Sequence, residues 1–476
     1  MLRRIRQLAS ESLVYGLSGV ISRFISFFLV PLYTRVFAPS EYGVMALMGA
    51  TLVLAAILVM LGMDAASARW FYDSDRLADQ KRSIASWAWS QFTVALIAAA
   101  AIFAFAGSLA RLVVGEVSAT LYFRLIAVWL PLETFYTVAN KWFRYQRRPW
   151  AMVSYTLGVN LFTILLNIWF VLGRRMGLAG VYWALVISGA VSAAIALGLL
   201  RDWVNPRWVR TEQVRGMLGF GLPLLPASLG VWLAAWVDRY FIQYYSNTAE
   251  VGLYAVANTI SHGVILVTRA FDNAWAPFAF SIHKEPASRA VYAKVFSLYG
   301  WGLCALAAAI SLFAPEIMRL LTTEQYYSAS TAVSYLAFSV VASGAISIAA
   351  LGCHLVKNSR PIGFGLLIGG VVNLALNFLL IPGMGKEGAA ISRLAAEMVS
   401  VVLIFYASQK LYPIPYQFRD AVVLALFSAA LVGIVAVWQS GTLWINVLLK
   451  LALLSLFAPI GLALRVVTWE QVRSLC

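Results

Sequence analysis

A few charged residues lie inside otherwise apolar segments of this chain. Arg23 and Arg124 each interrupt a long apolar run, and Arg393 and Glu397 lie four residues apart in a third. A charge in a membrane helix costs about 2.5–3.5 kcal/mol on insertion scales, so it usually faces a cavity or a partner. Guanidinium groups bind anions through paired N–H donors, and a carboxylate can take up protons. We expect Arg23, Arg124, Arg393 and Glu397 to bind substrate, whereas Lys450 is expected to snorkel or to pack between helices.

These residues also have structural interpretations. Arg23 could pair with a carboxylate or with backbone carbonyls. Arg393 and Glu397 could pair with each other, because residues four apart share one face of a helix. Arg124 and Glu133 are nine apart and face opposite sides of a helix, so they are not expected to pair.

The composition is that of a membrane protein. Hydrophobic residues make up 62% of the 476, only 12% are charged, and the mean hydropathy is +0.81. Soluble chains carry about 25% charged residues. A spanning helix needs about 20 apolar residues, and these runs lack the alternation of barrel strands. We therefore predict an all-α polytopic membrane protein with 14 transmembrane helices. The predicted spans are 10–37, 42–63, 84–107, 118–140, 150–172, 178–200, 216–237, 250–270, 292–313, 328–352, 361–381, 387–408, 418–438 and 442–464.

The basic residues predict the orientation. If the N-terminus is cytoplasmic, about 25 of the 36 Lys and Arg residues fall in cytoplasmic segments and only about seven in outer loops, as the positive-inside rule requires. One missed span would invert every later loop and destroy this bias. We predict a multi-pass protein of the bacterial inner membrane with both termini cytoplasmic, its first segment a permanent span and not a cleaved signal peptide.

Several classes of function are disfavoured. The net charge of +16 is spread over short loops next to lipid headgroups, which does not suit a nucleic-acid binder. The residues Cys304, Cys353 and Cys476 show no paired spacing, the three histidines show no metal-ligand spacing, and no Walker A loop occurs. No cofactor, metal or enzymatic activity is predicted. Because ATP hydrolysis is not expected, any transport would draw on a gradient or on a partner.

An internal repeat predicts the domain organisation. Four short motifs recur in order a little over two hundred residues apart, which is typical of parallel-repeat transporters. We predict an N-terminal lobe at 1–215, a C-terminal lobe at 216–410 and a terminal helix pair at 411–476. The paired motifs begin at Ser40 and Ala249, Met63 and Phe271, Arg148 and Arg360, and Met176 and Met384.

Charged residues at the ends of predicted spans are candidates for gates. Asp64 and Arg69 follow the second span, and Arg269 and Asp272 occupy the equivalent place after the eighth. Charges at one end of both lobes would suit an inner gate closed by cross-lobe ion pairs, although ordinary solvated loop charges fit equally well. A further pair marks the outer end of the seventh span and would suit an outer gate: Asp238 and Arg239.

The opening of the chain resembles a known family. Its residues are Tyr15-Gly16-Leu17, Ser22-Arg23-Phe24-Ile25-Ser26-Phe27-Phe28, Pro31-Leu32-Tyr33-Thr34-Arg35 and Pro39-Ser40-Glu41-Tyr42-Gly43, followed by Leu61-Gly62-Met63-Asp64 with Arg69, Phe71 and Tyr72. This pattern is similar to that of Wzx-type polysaccharide-biosynthesis flippases of the multidrug/oligosaccharidyl-lipid/polysaccharide exporter superfamily. The predicted spans and lobes agree with that resemblance along the chain.

The resemblance implies a substrate and partners. It implies an undecaprenyl-pyrophosphate-linked oligosaccharide, moved from the cytoplasmic to the outer leaflet for surface polysaccharide such as lipopolysaccharide or exopolysaccharide, with Arg23 as a pyrophosphate ligand. Membrane lipids, a polysaccharide polymerase and glycosyltransferases are the implied partners. A charged head group cannot cross hydrocarbon unaided, since burying an unpaired charge is very costly.

Three alternatives remain open from the sequence. A drug/cation antiporter of the same superfamily would be expected to carry carboxylates in its cavity, where this chain has Arg23. A peptidoglycan-precursor flippase shares the architecture and differs by the opening motif. A membrane-embedded sugar transferase or polymerase usually needs paired carboxylates in a sizeable loop, and none is evident.

Overall fold

The structure is a computed structural model that describes residues 29–438 and 443–466, so Arg23 and Cys476 lie outside the described part. Within these ranges every regular element is helical. Residues 29–36 are the described end of a helix that precedes α1. The α-helices that follow are α1 Pro39–Met60, α2 Met63–Tyr72, α3 Leu77–Ala104, α4 Ala106–Val113, α5 Thr120–Tyr145, α6 Pro149–Ile168, α7 Gly177–Leu200, α8 Thr211–Gly221, α9 Leu225–Tyr245, α10 Thr248–Ser261, α11 Gly263–Ile282, α12 Ser288–Leu312, α13 Ala314–Leu321, α14 Ser330–Ala349, α15 Leu351–Leu355, α16 Arg360–Leu411, α17 Phe418–Val437, α18 Leu443–Ser455 and α19 Phe457–Ala463.

The helices agree with the predicted fold class. In the described residues, 11 helical stretches are long and apolar enough to cross a membrane. Helix α5 coincides with the predicted fourth span but is not among them, because its charged residues lower its hydropathy. The all-α polytopic prediction is confirmed. The count of 14 stays a prediction, since most of the segment 10–37 lies outside the described residues.

Helix α16 contains two of the predicted spans. A straight helix of its 52 residues would be about 78 Å long, more than twice the roughly 30 Å of a bilayer core. The backbone leaves helical geometry at Gly385, where φ is 52° and ψ is −127°. Only glycine adopts such angles at little cost, so the break falls between the predicted eleventh and twelfth spans.

By its internal contacts the chain divides into two units. Unit 1 comprises residues 1–243 and 247–252, and unit 2 comprises 244–246 and 253–476. Helix α9 belongs to unit 1 up to Gln243, because the indole N–H of Trp232 donates to the carbonyl of Ala50 at 3.0 Å and the Tyr240 hydroxyl lies 2.9 Å from that of Thr51. This division differs from the one predicted from the repeat. The predicted lobes at 1–215 and 216–410 and the terminal helix pair at 411–476 stay a prediction.

The core of unit 1 is rich in aromatic side chains. Helices α3, α5 and α7 pack together with Trp87, Phe135, Trp142 and Leu200 buried among them. In a membrane such contacts stabilise by close packing, since lipid is as apolar as the helices themselves. This packing holds the end of α5 against α2.

The core of unit 2 is formed by α12, α14 and α16 with α17 alongside. Aromatic residues from these helices cluster around Phe296, Phe405 and Tyr416. Helices α17 to α19, at the chain's end, pack on α12 through Cys304, Leu424 and Phe457.

The two units share backbone details that support the repeat. The junction of α3 and α4 at Phe105 has φ −95° and ψ 12°, and that of α12 and α13 at Phe313 has φ −91° and ψ 6°. The repeat-matched Gly177 and Gly385 both have positive φ, at 59° and 52°. These matching departures from helical geometry are independent of side-chain similarity.

Candidate functional site

The first group of candidate residues follows the end of α1. Leu61 and Gly62 both have positive φ, at 47° and 68°, and the chain there turns from α1 into α2. Gly62 lies against the backbone of Gly221, and a methyl group added to Gly221 would lie 2.6 Å from the carbonyl oxygen of Leu61. Gly62 of the second signature motif is therefore explained by a sharp turn and by close backbone contact.

Asp64 lies in the first turn of α2 and makes an ion pair within its own unit. Its Oδ2 is 3.4 Å from the Nζ of Lys141 near the end of α5, and both side chains are about one-third exposed, at 34% and 32%. One turn along α2, the Ser67 hydroxyl lies 2.8 Å from the Tyr145 hydroxyl. The predicted inner gate required a partner in the other lobe. In this structure Asp64 is paired with Lys141 of its own unit. A cross-lobe ion pair of Asp64 in another conformation stays a prediction.

Arg69 and the residues predicted as its counterparts occupy different surroundings. The guanidinium carbon of Arg69 lies 6.0 Å from the centre of the Phe220 ring. Arg269 and Asp272 were expected in a loop after the eighth span, but α11 continues to Ile282, so both lie within a helix. Arg269 is exposed and Asp272 is partly buried. Apolar residues and alanines beyond Asp272 prolong the helix, and Pro277 does not end it.

Asp238 and Arg239 were expected at the outer end of the seventh span. Helix α9 continues to Tyr245, so they lie about two turns inside it. Asp238 is 0% and Arg239 is 5% exposed. Arg239 donates to the carbonyl of Ala235 at 3.2 Å, and its guanidinium carbon is 4.5 Å from the centre of the Trp236 ring. Their role in a gate stays a prediction.

The first pair of repeat-matched motifs is in direct contact within unit 1. Gly43 at the start of α1 and Gly252 in the first turn of α10 pack backbone to backbone. A methyl group on Gly43 would overlap the carbonyl oxygen of Thr248 and approach the Gly252 nitrogen to 3.0 Å. Conversely, a methyl group on Gly252 would overlap the carbonyl oxygen of Pro39 and approach the Gly43 nitrogen to 3.0 Å. The motif is thus a self-complementary contact, in which each copy supplies the surface that the other needs.

The predicted substrate-binding residues lie on two different helices of the described structure. Arg124 is exposed on α5, with its guanidinium carbon 5.4 Å from the centre of the Phe103 ring. Arg393 and Glu397 are partly buried on α16, one turn apart. Arg23 lies outside the described residues. Binding by these four residues stays a prediction.

One partly buried ion pair was not predicted. The Nζ of Lys450 on α18 lies 2.6 and 2.7 Å from the two carboxylate oxygens of Glu316 on α13. The side chains are 5% and 20% exposed. Lys450 therefore joins α18 to α13 and does not snorkel to the surface. In the sequence, the one sign of this pair is Glu316, a carboxylate in the amphipathic segment 314–321. Its partner could not be predicted, because Lys450 is 134 residues away.

Comparisons with known proteins agree with this architecture. A profile described as "Polysaccharide biosynthesis protein" matches residues 8–283. The chain is 22% identical over 317 residues to Lsg locus putative protein 1 of Haemophilus influenzae, covering 64% of this chain and 74% of that protein. It is 23% identical over 242 residues to the succinoglycan biosynthesis transport protein ExoT of Rhizobium meliloti, covering 49% of this chain and 46% of that protein.

Solved structures share the fold. The lipid II flippase MurJ, in an inward closed conformation, matches with a TM-score of 0.73 at 11% identity, covering 94% of this chain and 98% of that one. An inward-facing multidrug resistance MATE family transporter of the MOP superfamily matches with a TM-score of 0.67 at 16% identity, covering 85% and 95%.

These findings confirm the resemblance that the opening motif carries. The prediction of a membrane transporter, and not an enzyme, agrees with the family match and with the relative named as a transport protein. The two solved structures agree with the predicted multi-pass fold. The profile spans more than half of the 476 residues. The chain belongs to the polysaccharide biosynthesis protein family.

Proposed function

We propose that this protein flips an undecaprenyl-pyrophosphate-linked oligosaccharide from the cytoplasmic to the outer leaflet of the bacterial inner membrane, for surface polysaccharide assembly. The observation that carries the proposal is the family match over residues 8–283, which includes the opening motif around Arg23. The relative named as a succinoglycan biosynthesis transport protein supports a polysaccharide unit as cargo. Glycosyltransferases would supply the cargo and a polymerase would consume it.

The proposed mechanism is alternating access. The head group carries sugars and a pyrophosphate, whose charge would cost far too much in hydrocarbon without partners, whereas the lipid tail is stable in the bilayer. Arginine suits the pyrophosphate because its guanidinium makes paired, charge-assisted hydrogen bonds. We assign this role first to Arg23 and then to Arg124 and Arg393, with Glu397 as an accompanying carboxylate. Gates are assigned to Asp64, Arg69, Asp238, Arg239, Arg269 and Asp272.

A peptidoglycan-precursor flippase is the second candidate. The TM-score of 0.73 to the lipid II flippase favours it, although an identity of 11% reports only on the fold. The substrates of the two candidate functions both contain a pyrophosphate on a polyprenyl chain. They therefore differ in the sugar and not in the charged group. A drug/cation antiporter is less favoured, because the charges predicted within the spans are mainly cationic.

The test is the substitution Arg23→Ala in cells whose only copy of the gene carries it. We expect wild-type levels of the protein in the membrane, loss of surface polysaccharide, and lipid-linked oligosaccharide that remains inaccessible to a glycan-cleaving enzyme added to spheroplasts. Loss of a charged hydrogen-bond donor to the substrate typically costs about 1.5–3 kcal/mol, which is at least tenfold in affinity.

The control is Arg111→Ala, which removes an exposed arginine on α4. It should leave surface polysaccharide unchanged. Normal export by Arg23→Ala would overturn the role of Arg23. Accumulation of lipid II in the absence of the wild-type gene, with surface polysaccharide intact, would instead favour the second candidate.

A further inference from the structure

Glu133 is a carboxylate in the middle of α5. At 1.5 Å per residue it lies about 20 Å from the helix's first residue, Thr120, and about 18 Å from its last, Tyr145. Its side chain is only partly exposed. An ionised carboxylate at this depth is expensive unless a cation or several donors compensate it.

No such compensation exists among the described residues. The neighbour of Glu133 on its own helix is the Thr137 hydroxyl one turn along, and the phenols nearby belong to Tyr136 and to Tyr155 of α6. Within residues 29–438 and 443–466, no Lys or Arg makes an ion pair with Glu133.

The helices packed against α5 also bring no charge to this depth. Helices α6 and α7 contain no Asp, Glu, Lys or Arg. The charged residues of α1, α3 and α4 lie in or near their first or last turns. These end residues are Glu41, Asp79, Lys81, Arg82 and Arg111.

A polar face connects Glu133 with one end of α5. Counting from Glu133, polar side chains recur three, four, seven, eight and eleven residues later, which places them on a single face of the helix. All of them are at least partly exposed. Part of this face is hydrogen-bonded to α6, where the Thr156 hydroxyl donates to the Asn140 amide oxygen at 2.7 Å. The residues of the face are Tyr136, Thr137, Asn140, Lys141 and Arg144.

The fold itself does not require a carboxylate at this position. The stretch of unit 2 that corresponds to α5 comprises α14 and α15. Like α5, it follows a 3-10 helix. Both stretches end at a basic residue with positive φ, Arg147 at 52° and Lys357 at 57°. Aligned on these ends, Glu133 falls opposite Ser343. Glu133 therefore distinguishes unit 1 from its repeat.

We propose that Glu133 is a proton-binding site, loaded and emptied through the polar face of α5, that couples transport to a proton gradient. A carboxyl group takes up one proton where an ionised carboxylate would be costly, and releases it when water or a cation reaches it. A proton suits the site better than Na⁺, because a metal ion would need several more oxygen ligands than the hydroxyl beside Glu133 supplies. The coupling, though not the proton site, rests on the proposed function.

The proton site is tested on the purified full-length protein in lipid nanodiscs by infrared difference spectroscopy during a pH jump. We expect a carboxyl C=O band that appears on acidification in the wild type and is lost in Glu133→Gln. The control Glu116→Gln removes an exposed carboxylate that precedes α5 and should retain the band. Persistence of the band in Glu133→Gln, or its absence from the wild type, would overturn the assignment, as would a band that responds to Na⁺ and not to pH. Matching unfolding temperatures exclude misfolding of the variant.

The coupling is tested in proteoliposomes that contain lipid-linked oligosaccharide. An acidic exterior should accelerate outward flipping by the wild type, within the about 5–150-fold range of typical coupling free energies, and should have no effect on Glu133→Gln. Acceleration of both proteins alike would overturn the coupling. If the wild type binds the proton but flips no oligosaccharide, the proposed function fails while the proton site remains.

Discussion

At the scale of single residues, the motif glycines are explained by backbone contact. Gly43 and Gly252 are repeat-matched, and each lies against the turn that contains the other. Sequence similarity between the two motifs could be read as a sign of common ancestry alone. The structure adds that both glycines are needed at once, because a side chain on either would separate the same pair of helices.

We predict that Gly43→Ala destabilises the protein by about 1–3 kcal/mol, the usual cost of overpacking a tight contact. The reason is that its methyl group would overlap the carbonyl oxygen of Thr248. The measurement is the unfolding temperature of the purified protein in detergent. The matched control is Gly49→Ala on the same helix, where nothing lies within 4 Å of the added carbon. Alanine should be neutral there or stabilise the helix by up to about 1 kcal/mol. Equal unfolding temperatures for the two variants would contradict the proposed contact.

At the scale of elements, helix ends and breaks differ from the predicted span limits for identifiable reasons. Helices α9 and α11 continue beyond their apolar runs, because hydropathy reports where lipid ends and not where the backbone stops being helical. Helix α13 and helix α18 are joined by an ion pair that neither sequence segment reveals by itself.

We predict that Lys450→Met loosens the terminal helices and lowers the free energy of unfolding by about 3–5 kcal/mol, because Glu316 is left without its cation. The unfolding temperature and the protease sensitivity of α17 to α19 report this effect. The matched control is Arg319→Met, which removes an exposed cation one turn further along α13 and should change little. The double substitution Lys450→Met with Glu316→Met should recover most of the loss, since replacing both partners of a buried pair is often nearly neutral. An additive double variant would rule out direct coupling.

At the scale of the whole molecule, the charge asymmetry predicts orientation. Basic residues are favoured on the cytoplasmic side by membrane insertion and by anionic lipid headgroups, so the bias arises from many residues together. The chain offers a natural probe of this prediction, because Cys304 and Cys353 are buried and Cys476 is the third of its three cysteines.

We predict that a membrane-impermeant maleimide labels Cys476 in inside-out vesicles and not in intact spheroplasts. The background is Cys304→Ala with Cys353→Ala, which leaves one reactive thiol. As a control, Glu116→Cys in a variant that also lacks Cys476 should show the opposite pattern, because residue 116 is exposed and lies in a predicted outer loop. Labelling of Cys476 from the outside would require an odd number of spans or an inverted protein.

Much of the fold could be predicted from the sequence because its main signals are local or additive. Apolar runs of about 20 residues predict transmembrane helices, and the distribution of Lys and Arg predicts which side of the membrane each loop faces. Four short sequence motifs predict the repeat. The structure adds that Gly43 and Gly252 are in backbone contact, and that Gly177 and Gly385 both have positive φ.

The sequence by itself therefore determined the membrane character, the all-α class and the family, and it predicted the repeat, since each depends on composition or on contiguous motifs. Tertiary structure alone decided which charges meet. Asp64 pairs with Lys141 and Lys450 with Glu316, while Glu133 pairs with no cation in the described residues. The physical reason is that ion pairing depends on distances of a few ångströms between segments far apart in the chain, which no local pattern encodes.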